Sequence, residues 1–370
     1  MRAERVAIMT LQNLGRPRAE FLPRPSSIPG AAKRLRALLR HAGFTFSTAV
    51  ERLGIDYRMW TGNTSTCDKV KAYLAQRPND RFDIFLRFFT LCVPTDPAVL
   101  LRWMTPQDIE LLRDMNLAVP TSDGCLISPM SLFECRGQFI ATDSITNQTE
   151  DFNFVMPLLP ESYEFAASTP RAGVDATLDL CTGSGIHALL AAQHSRSVCG
   201  IDISPRAIAF SKFNLWLNDA CNVTFEQGDL FAPVQGRTFD LILANPPYEP
   251  VPQNQSNPGE NYYCGGPMGD AITSRIFCSL EHFLRPNGVC QVIHMMVSFD
   301  GGTHEQKVRK WLGRLSDECS VGVISRPITF RSETICGATA VEFGITSIKR
   351  HAKGQGDAFP QQHVSAKVTG

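Results

Sequence analysis

From about residue 174 onward, short apolar runs take turns with segments whose apolar positions recur at helical spacing. Ala176 to Leu180, Val198 to Ile201, Val223 to Glu226, Phe239 to Ala244, Val289 to Met295, Ser320 to Ser325 and Thr339 to Ile348 read as strands. Helices are predicted from Ile186, from Pro205 through Leu217 with Ala209, Phe213 and Leu217 on one face, over Ala271 to Leu284, and over His304 to Leu312. Arg285-Pro286-Asn287-Gly288 should separate helix from strand there. Strand alternating with helix is the signature of an α/β, doubly wound sheet of Rossmann-like type, whose ligands bind beyond the carboxyl ends of the strands.

The first half follows another rule. Pro17, Pro23, Pro25 and Pro29 interrupt any helix before Gly30, so residues 1–30 read as a disordered arm. Ala32, Leu35, Leu38 and Leu39 then recur at helical spacing up to Gly43, and a second helix covers Thr48 to Leu53. A third, aromatic one runs from Asp83 to Leu91, and Thr105-Pro106 opens a fourth through Met115. Cys125 to Ile127, Leu132 to Cys135 and Phe139 to Ala141 should form one small sheet around Asp123-Gly124. Residues 31–145 thus predict a smaller helical, winged-helix-like lid or substrate domain. Residues 146–172 would be a connector, 173–348 the catalytic domain and 349–370 a disordered tail.

Composition narrows the function classes. A chain of 370 residues, 43% hydrophobic and 19% charged, buries a large core, and its net charge of zero gives no global field for nucleic acid or an anionic membrane. The arm is locally basic, with Arg2, Arg5, Arg16, Arg18 and Arg24 among its charges, but only Phe21 interleaves with them; a solvated tail suits it better than an RNA-binding arm. The twelve cysteines contain no C-x-x-C pair and no zinc-ligand spacing, which reads as reduced thiols of a cytoplasmic protein with no metal. No run approaches the roughly 20 apolar residues of a membrane span, and no secretory signal is evident.

Three phrases carry the chemistry: Leu178-Asp179-Leu180-Cys181-Thr182-Gly183-Ser184-Gly185, Gly200-Ile201-Asp202, and Leu243-Ala244-Asn245-Pro246-Pro247-Tyr248. Glycines at 183 and 185 allow close backbone approach to a ligand, and an acidic residue ending the next strand stands where a ribose diol is read in nucleotide-binding folds. Together the phrases resemble the class I S-adenosylmethionine-dependent methyltransferases that carry an Asn-Pro-Pro-Tyr motif, a group that includes release-factor glutamine methyltransferases and several nucleobase N-methyltransferases. Cys181 replaces the first glycine of the usual first motif, and Gly265 to Asp270 resembles the glycine-rich segment that follows Asn-Pro-Pro-Tyr in the release-factor enzymes. The amino-terminal half resembles that of a group of bacterial methyltransferases of the same kind.

The resemblance implies S-adenosyl-L-methionine as cofactor, held by Asp179, Cys181, Thr182, Gly183, Gly185, Asp202, Ile203, Asp229, Leu230 and Asn245. Asp229 would accept from the adenine amino group, with Leu230 and Ile203 covering the ring faces. Asn245, Pro246 and Tyr248 would be catalytic. Methyl transfer is a displacement governed by orientation; the Asn245 side-chain and Pro246 main-chain carbonyls are two acceptors for an amine or amide nitrogen, and Tyr248 offers a ring face to developing positive charge. Tyr262 and Tyr263 could line the acceptor pocket or anchor a loop, and His187 reads as buried rather than as a base. The expected reaction is methylation of an amide or amine on a small molecule or a protein side chain. A nucleobase acceptor is less favoured. Cyclisation of the cofactor's own aminobutyrate arm to azetidine-2-carboxylate, with release of methylthioadenosine, is the competing chemistry. Oligomeric state is left open.

Overall fold

The computed structural model describes residues 21–53, 80–146, 152–251, 262–298, 302–327 and 340–352. The arm up to residue 20 and the tail from residue 353 lie outside the described residues. The chain divides into two compact units that interleave in sequence: residues 1–167, 183–190 and 205–221 form the first, and residues 168–182, 191–204 and 222–370 the second.

In the first unit, α1 (Ala31–His41), α2 (Phe46–Leu53) and α3 (Arg81–Phe85) lead into a π-helical turn over Leu86–Thr90, then α4 (Pro97–Leu100) and α5 (Pro106–Asp114). Part of the expected arm is anchored instead: Leu22 packs on this core, the Arg24 amide donates to Met115 O at 3.3 Å, and Asn116 donates to Leu22 O at 2.9 Å. The predicted small sheet is in fact two antiparallel pairs, β1 (Val119–Pro120) with β2 (Leu126–Ile127), and β3 (Met130–Cys135) with β4 (Gln138–Asp143). Pro129, lacking an N–H, stands between them. The expected connector contains a helix, α6 (Pro160–Ser168).

Two helices that the sequence assigns to the catalytic domain, α7 (Ile186–Ala191) and α8 (Pro205–Asn218), belong mostly or wholly to this unit. Ala207, Phe210, Phe213 and Leu217 of α8 join the core of Leu35, Leu39, Phe85, Phe88 and Phe89. Asn214 receives the Ala141 amide on Oδ1 (2.8 Å) and donates to Ala141 O (2.9 Å) and Ser184 O (2.8 Å); Asn218 treats Phe139 the same way, at 2.9 and 2.7 Å. One helical turn apart, the two amides serve the free edge of β4 as a third strand would. Arg206 pairs bidentately with Asp143, both buried.

The second unit is a seven-stranded sheet of β5 (Val174–Leu180), β6 (Ser195–Asp202), β7 (Val223–Gln227), β8 (Phe239–Ala244), β9 (Leu284–Ser298), β10 (Cys319–Pro327) and β11 (Ala340–Arg350), ordered β10-β11-β9-β8-β5-β6-β7. Strands β7, β6, β5, β8 and β9 are parallel to one another; β11 runs antiparallel to β9 and β10. Chain order reverses between β5 and β8, the switch point at which such sheets open a crevice. Leu284–Ser298 runs as one strand, but its pairing with β8 skips from Leu284 to Val289, so Arg285 to Gly288, expected to separate helix from strand, interrupts the ladder there without ending the strand. Helices α9 (Ala271–Phe283) and α10 (His304–Leu312) bury Ile276, Phe277, Leu280, Val308 and Leu312 with Leu178, Ile242 and Val292 of the sheet.

Candidate functional site

The first phrase turns sharply as it leaves β5. Asp179 is 1% exposed and lies in register between Gly200 of β6 and Leu243 of β8. The Thr182 hydroxyl donates to Asp179 Oδ2 at 2.5 Å, and the Thr182 amide to Ile201 O at 3.0 Å. A Cβ at Gly200 would stand 2.5 Å from the Phe225 ring and 2.9 Å from Thr182 Oγ1, so only glycine on β6 lets this turn lie against its neighbours. Cys181, Gly183 and Gly185 take φ of 54°, 54° and 82°. Glycine enters that left-handed region freely; Cys181 does so at a steric cost.

At the ends of the next two strands stand the nucleoside candidates. Asp202 closes β6, its Oδ1 accepting from the Ser204 amide and its carbonyl from the Gly228 amide, each at 2.9 Å. Ile203 is 49% exposed, an apolar side chain left in the open just beyond a strand end. Asp229 follows β7, and Leu230 beside it is buried with φ 48°. Arg275 of α9, which sequence reasoning missed, donates to Asp229 Oδ2 at 2.6 Å. Burial pushes the Cys181 thiol well up, and the carboxylates of Asp202, Asp179 and Asp229 push the same way while Arg275 opposes them. Three carboxylates thus share one strand-end region around a thiol that stays protonated, a setting suited to a ligand with positive charge and hydroxyl donors.

The third phrase begins where β8 ends. Asn245 is half-buried, Pro246 buried, and the Tyr248 ring meets Phe343 of β11 edge-on at 5.5 Å. A short parallel pairing then staples this segment to the glycine-rich one: the Glu249 amide donates to Tyr263 O, the Gly265 amide to Glu249 O, both at 2.9 Å, and the Val251 amide to Gly266 O at 3.0 Å. Gly269 has φ 70°, and a Cβ there would stand 2.4 Å from Tyr248 O. The backbone of Tyr263 therefore anchors a loop, and its ring meets that of Tyr262 at 5.2 Å.

Of the sequence candidates, Asp179, Cys181, Thr182, Asp202, Ile203, Asp229, Leu230, Asn245, Pro246 and Tyr248 all fall at the carboxyl ends of β5 to β8, and Gly183 and Gly185 continue the chain from the first of these. His187 is buried against the Phe165 ring at 4.7 Å, and burial lowers its pKa to about 4. Nothing in the sequence periodicity signals Arg275 or Phe343; the partner of the first is 46 residues away, and that of the second lies in the segment after β8, far earlier in the chain. Among the described residues no group of three or more His, Cys, Asp or Glu is placed to hold a metal ion, and no helix is long and apolar enough to cross a membrane.

Comparison with known proteins agrees with this topology. Residues 174–347 match the family described as "Methyltransferase domain". A Methanocaldococcus jannaschii protein named for N5-glutamine methylation of proteins is 33% identical over 121 residues, 31% of this chain and 59% of that one. The ribosomal protein uL3 glutamine methyltransferase of Bradyrhizobium diazoefficiens is 35% identical over 131 residues (32% and 41%), and the release factor glutamine methyltransferase of Thermodesulfovibrio yellowstonii 44% over 73 residues (19% and 26%). The chain thus spans about half the length of these curated relatives or less. With the strand order, the glycine turn after β5 and the acidic end of β6 in place, residues 174–347 are a class I methyltransferase domain.

Proposed function

We propose that this protein is an S-adenosylmethionine-dependent N-methyltransferase whose acceptor is an amide nitrogen, the side chain of a glutamine in a protein. The observation that carries the reading is Asn245-Pro246-Pro247-Tyr248 at the carboxyl end of β8, one strand from Asp179 and held rigid by the Gly265–Gly269 segment. The names of the relatives support the amide and the protein; their short overlap leaves both as proposals for this chain.

The residues present fit the cofactor. Asp202 would take the ribose hydroxyls, Ile203 and Leu230 the base faces, Asp229 the base amino group, and the backbone from Cys181 to Gly185 the methionine arm. When bound, S-adenosylmethionine supplies a methyl group activated by positive sulfur. The carboxylates of Asp179, Asp202 and Asp229 offer that charge a negative surrounding. Asn245 Oδ1 and Pro246 O accept the two N–H groups of the amide, which turns the nitrogen electron pair toward the methyl. Two prolines fix those acceptors before the acceptor arrives. Tyr248, pinned by Phe343 and Gly269, packs on the planar amide and tolerates the charge that develops on nitrogen. The nitrogen then loses a proton to solvent.

The test is incubation of the purified protein with S-adenosylmethionine and glutamine-containing peptides, read by mass spectrometry, with Asn245→Ala as control. A methylated glutamine that depends on Asn245 is expected. Methylthioadenosine formed from S-adenosylmethionine alone would replace this reading with a lyase that closes the cofactor's own arm.

A further inference from the structure

We propose that Arg275 is a positioning residue for nucleobase recognition: it holds the Asp229 carboxylate in the orientation that reads the base amino group. The inference rests on the adenosyl-cofactor reading above and adds to it a residue that none of the three sequence phrases contains.

The turn after β7 carries Asp229 and is fixed through its backbone and through Leu230 and Phe231, both buried in the core. On one side the Gly228 amide donates to Asp202 O at 2.9 Å. On the other, the Ala232 amide donates back to Asp229 O at 3.0 Å, closing a turn over residues 229–232 that leads into the 3-10 helix Ala232–Val234. These contacts set the backbone and leave the carboxylate free to rotate. Helix α9 supplies the missing constraint twice. Phe283 stacks on Phe231 with ring centroids 4.3 Å apart and planes 18° from parallel, clamping the turn to the helix. About two helical turns toward the amino end, Arg275 reaches Asp229 Oδ2 at 2.6 Å.

The geometry separates holding from covering. Arg275 directly precedes α9 residues that are rooted in the core, since Ile276 and Phe277 are 0% and 1% exposed, so its backbone is fixed. Its head and the Asp229 side chain are half-exposed, at 51% and 50%. A guanidinium on one carboxylate oxygen leaves the other oxygen its lone pairs for a donor on a ligand. The same cation offsets part of the negative charge that Asp202, Asp179 and Asp229 place around Cys181. Arg275 therefore orients one acceptor.

A purely electrostatic role would change the affinity of every ligand alike; a positioning role changes the preference for a base that carries an amino group. The experiment measures calorimetric binding of S-adenosylhomocysteine and of its analogue with purine in place of adenine, which lacks only that amino group. Wild type is expected to prefer the adenine ligand. Arg275→Gln should weaken adenine-ligand binding by up to about fivefold, the reach of a half-exposed ion pair, and leave purine-ligand binding nearly unchanged, so that the preference falls. Arg275→Lys should recover part of it. The ratio of the two affinities is insensitive to any loss of folded protein. Equal weakening of both ligands, or an unchanged ratio in Arg275→Gln, would overturn the assignment while leaving the cofactor reading intact. Failure of wild type to bind S-adenosylhomocysteine at all would remove the cofactor reading and this inference with it.

Discussion

The two units obtain their order from different kinds of contact. In the second, the core is laid down by one seven-stranded, mostly parallel sheet, with Leu178, Ile201 and Ile242 buried at or below 1% exposure. In the first, no sheet among the described residues exceeds two strands, and the core is aromatic and long-range: Phe85, Phe88 and Phe89 meet edge to face at 5.0 to 5.5 Å, and helix α8, more than 100 residues later, completes it. Regular strands carry their instructions locally, in a period of two residues or an unbroken apolar run. A core assembled from distant helices depends on contacts that no local period announces.

The sharpest way to break the comparison is to truncate a side chain that the sequence assigns to the second half but that the first unit buries. Phe210→Ala removes a fully buried ring from the first unit's core and should cost about 3–5 kcal/mol in denaturant unfolding. Limited proteolysis should show cleavage rising among residues 21–53, far in sequence from the substitution. Cleavage rising only among residues 222–298 would mean that α8 belongs with the sheet.

The next largest effect depends on pH and separates the units by their histidines. In the second unit His294 Nδ1 donates to Met295 O at 3.0 Å, so Nε2 accepts from the Thr346 hydroxyl at 2.9 Å, and that hydroxyl in turn accepts from His304 Nε2 at 3.0 Å. Burial, reinforced by mutual repulsion and by Lys307, depresses His294 to about 3; burial and Lys307 depress His304 to about 4. The first unit holds His187, at about 4 by burial alone. All three are neutral in the fold and bind protons near pH 6.5 when unfolded, so the unfolded state takes up more protons as pH falls. Stability is full above pH 6.5 and is lost as pH drops toward 4 and then 3. The melting temperature should therefore fall between pH 7.5 and 4.5. The fall should shrink in His187→Leu, and shrink more when His294 and His304 are both replaced by Gln. An equal fall in all three proteins would assign acid sensitivity to the carboxylates instead.

A smaller loss follows from the two asparagines on α8. Asn214→Leu keeps the side chain's bulk but leaves the Ala141 amide without its partner and removes a donor from the Ala141 and Ser184 carbonyls, at a cost of about 2–3 kcal/mol for buried groups left unmade. Asn218, half-buried, should cost less when replaced in the same way. Urea titration of the two variants checks the order.

These contacts mark what could be read from the sequence. Strand β8 and helix α10 occupy the residues expected of them, because an unbroken apolar run and helically spaced apolar residues are both local signals. So does the opening of α5 at Thr105-Pro106. The site was legible as three phrases at strand ends, since a glycine turn, a terminal acid and a double proline each constrain the backbone by themselves. The rest was not. Asn214 and Asn218 look like ordinary polar positions on a helix, and their role as a substitute strand exists only when β4 lies alongside. Arg275 is one of many surface arginines until the fold sets it against Asp229. For α8 the sequence places Ala209, Phe213 and Leu217 on one face, yet Ala209 is only half-buried while Arg206, Ala207, Ile208 and Phe210 are buried, because that helix packs on more than one side.

The comparison can be sharpened with the smallest change of all, one hydroxyl in each unit. Thr105 and Thr303 both close capping boxes, with Asp108 and Gln306 reaching back to the cap amide at 2.8 and 3.0 Å. The box at Thr303 is exposed. The one at Thr105 is embedded: Asp108 is 4% exposed, and Arg34 of α1 donates to Asp108 Oδ1 at 2.5 Å and to Thr105 Oγ1 at 3.0 Å, which holds Asp108 below the usual carboxylate range. Removing the Thr303 hydroxyl frees one amide to water and should cost about 0.5–1 kcal/mol. Removing that of Thr105 also takes a partner from Asp108 and from Arg34, and should cost up to about 2 kcal/mol. The difference between Thr105→Ala and Thr303→Ala in chemical denaturation measures how far a local cap in the first unit has become part of a long-range network; equal losses would make the two caps equally local.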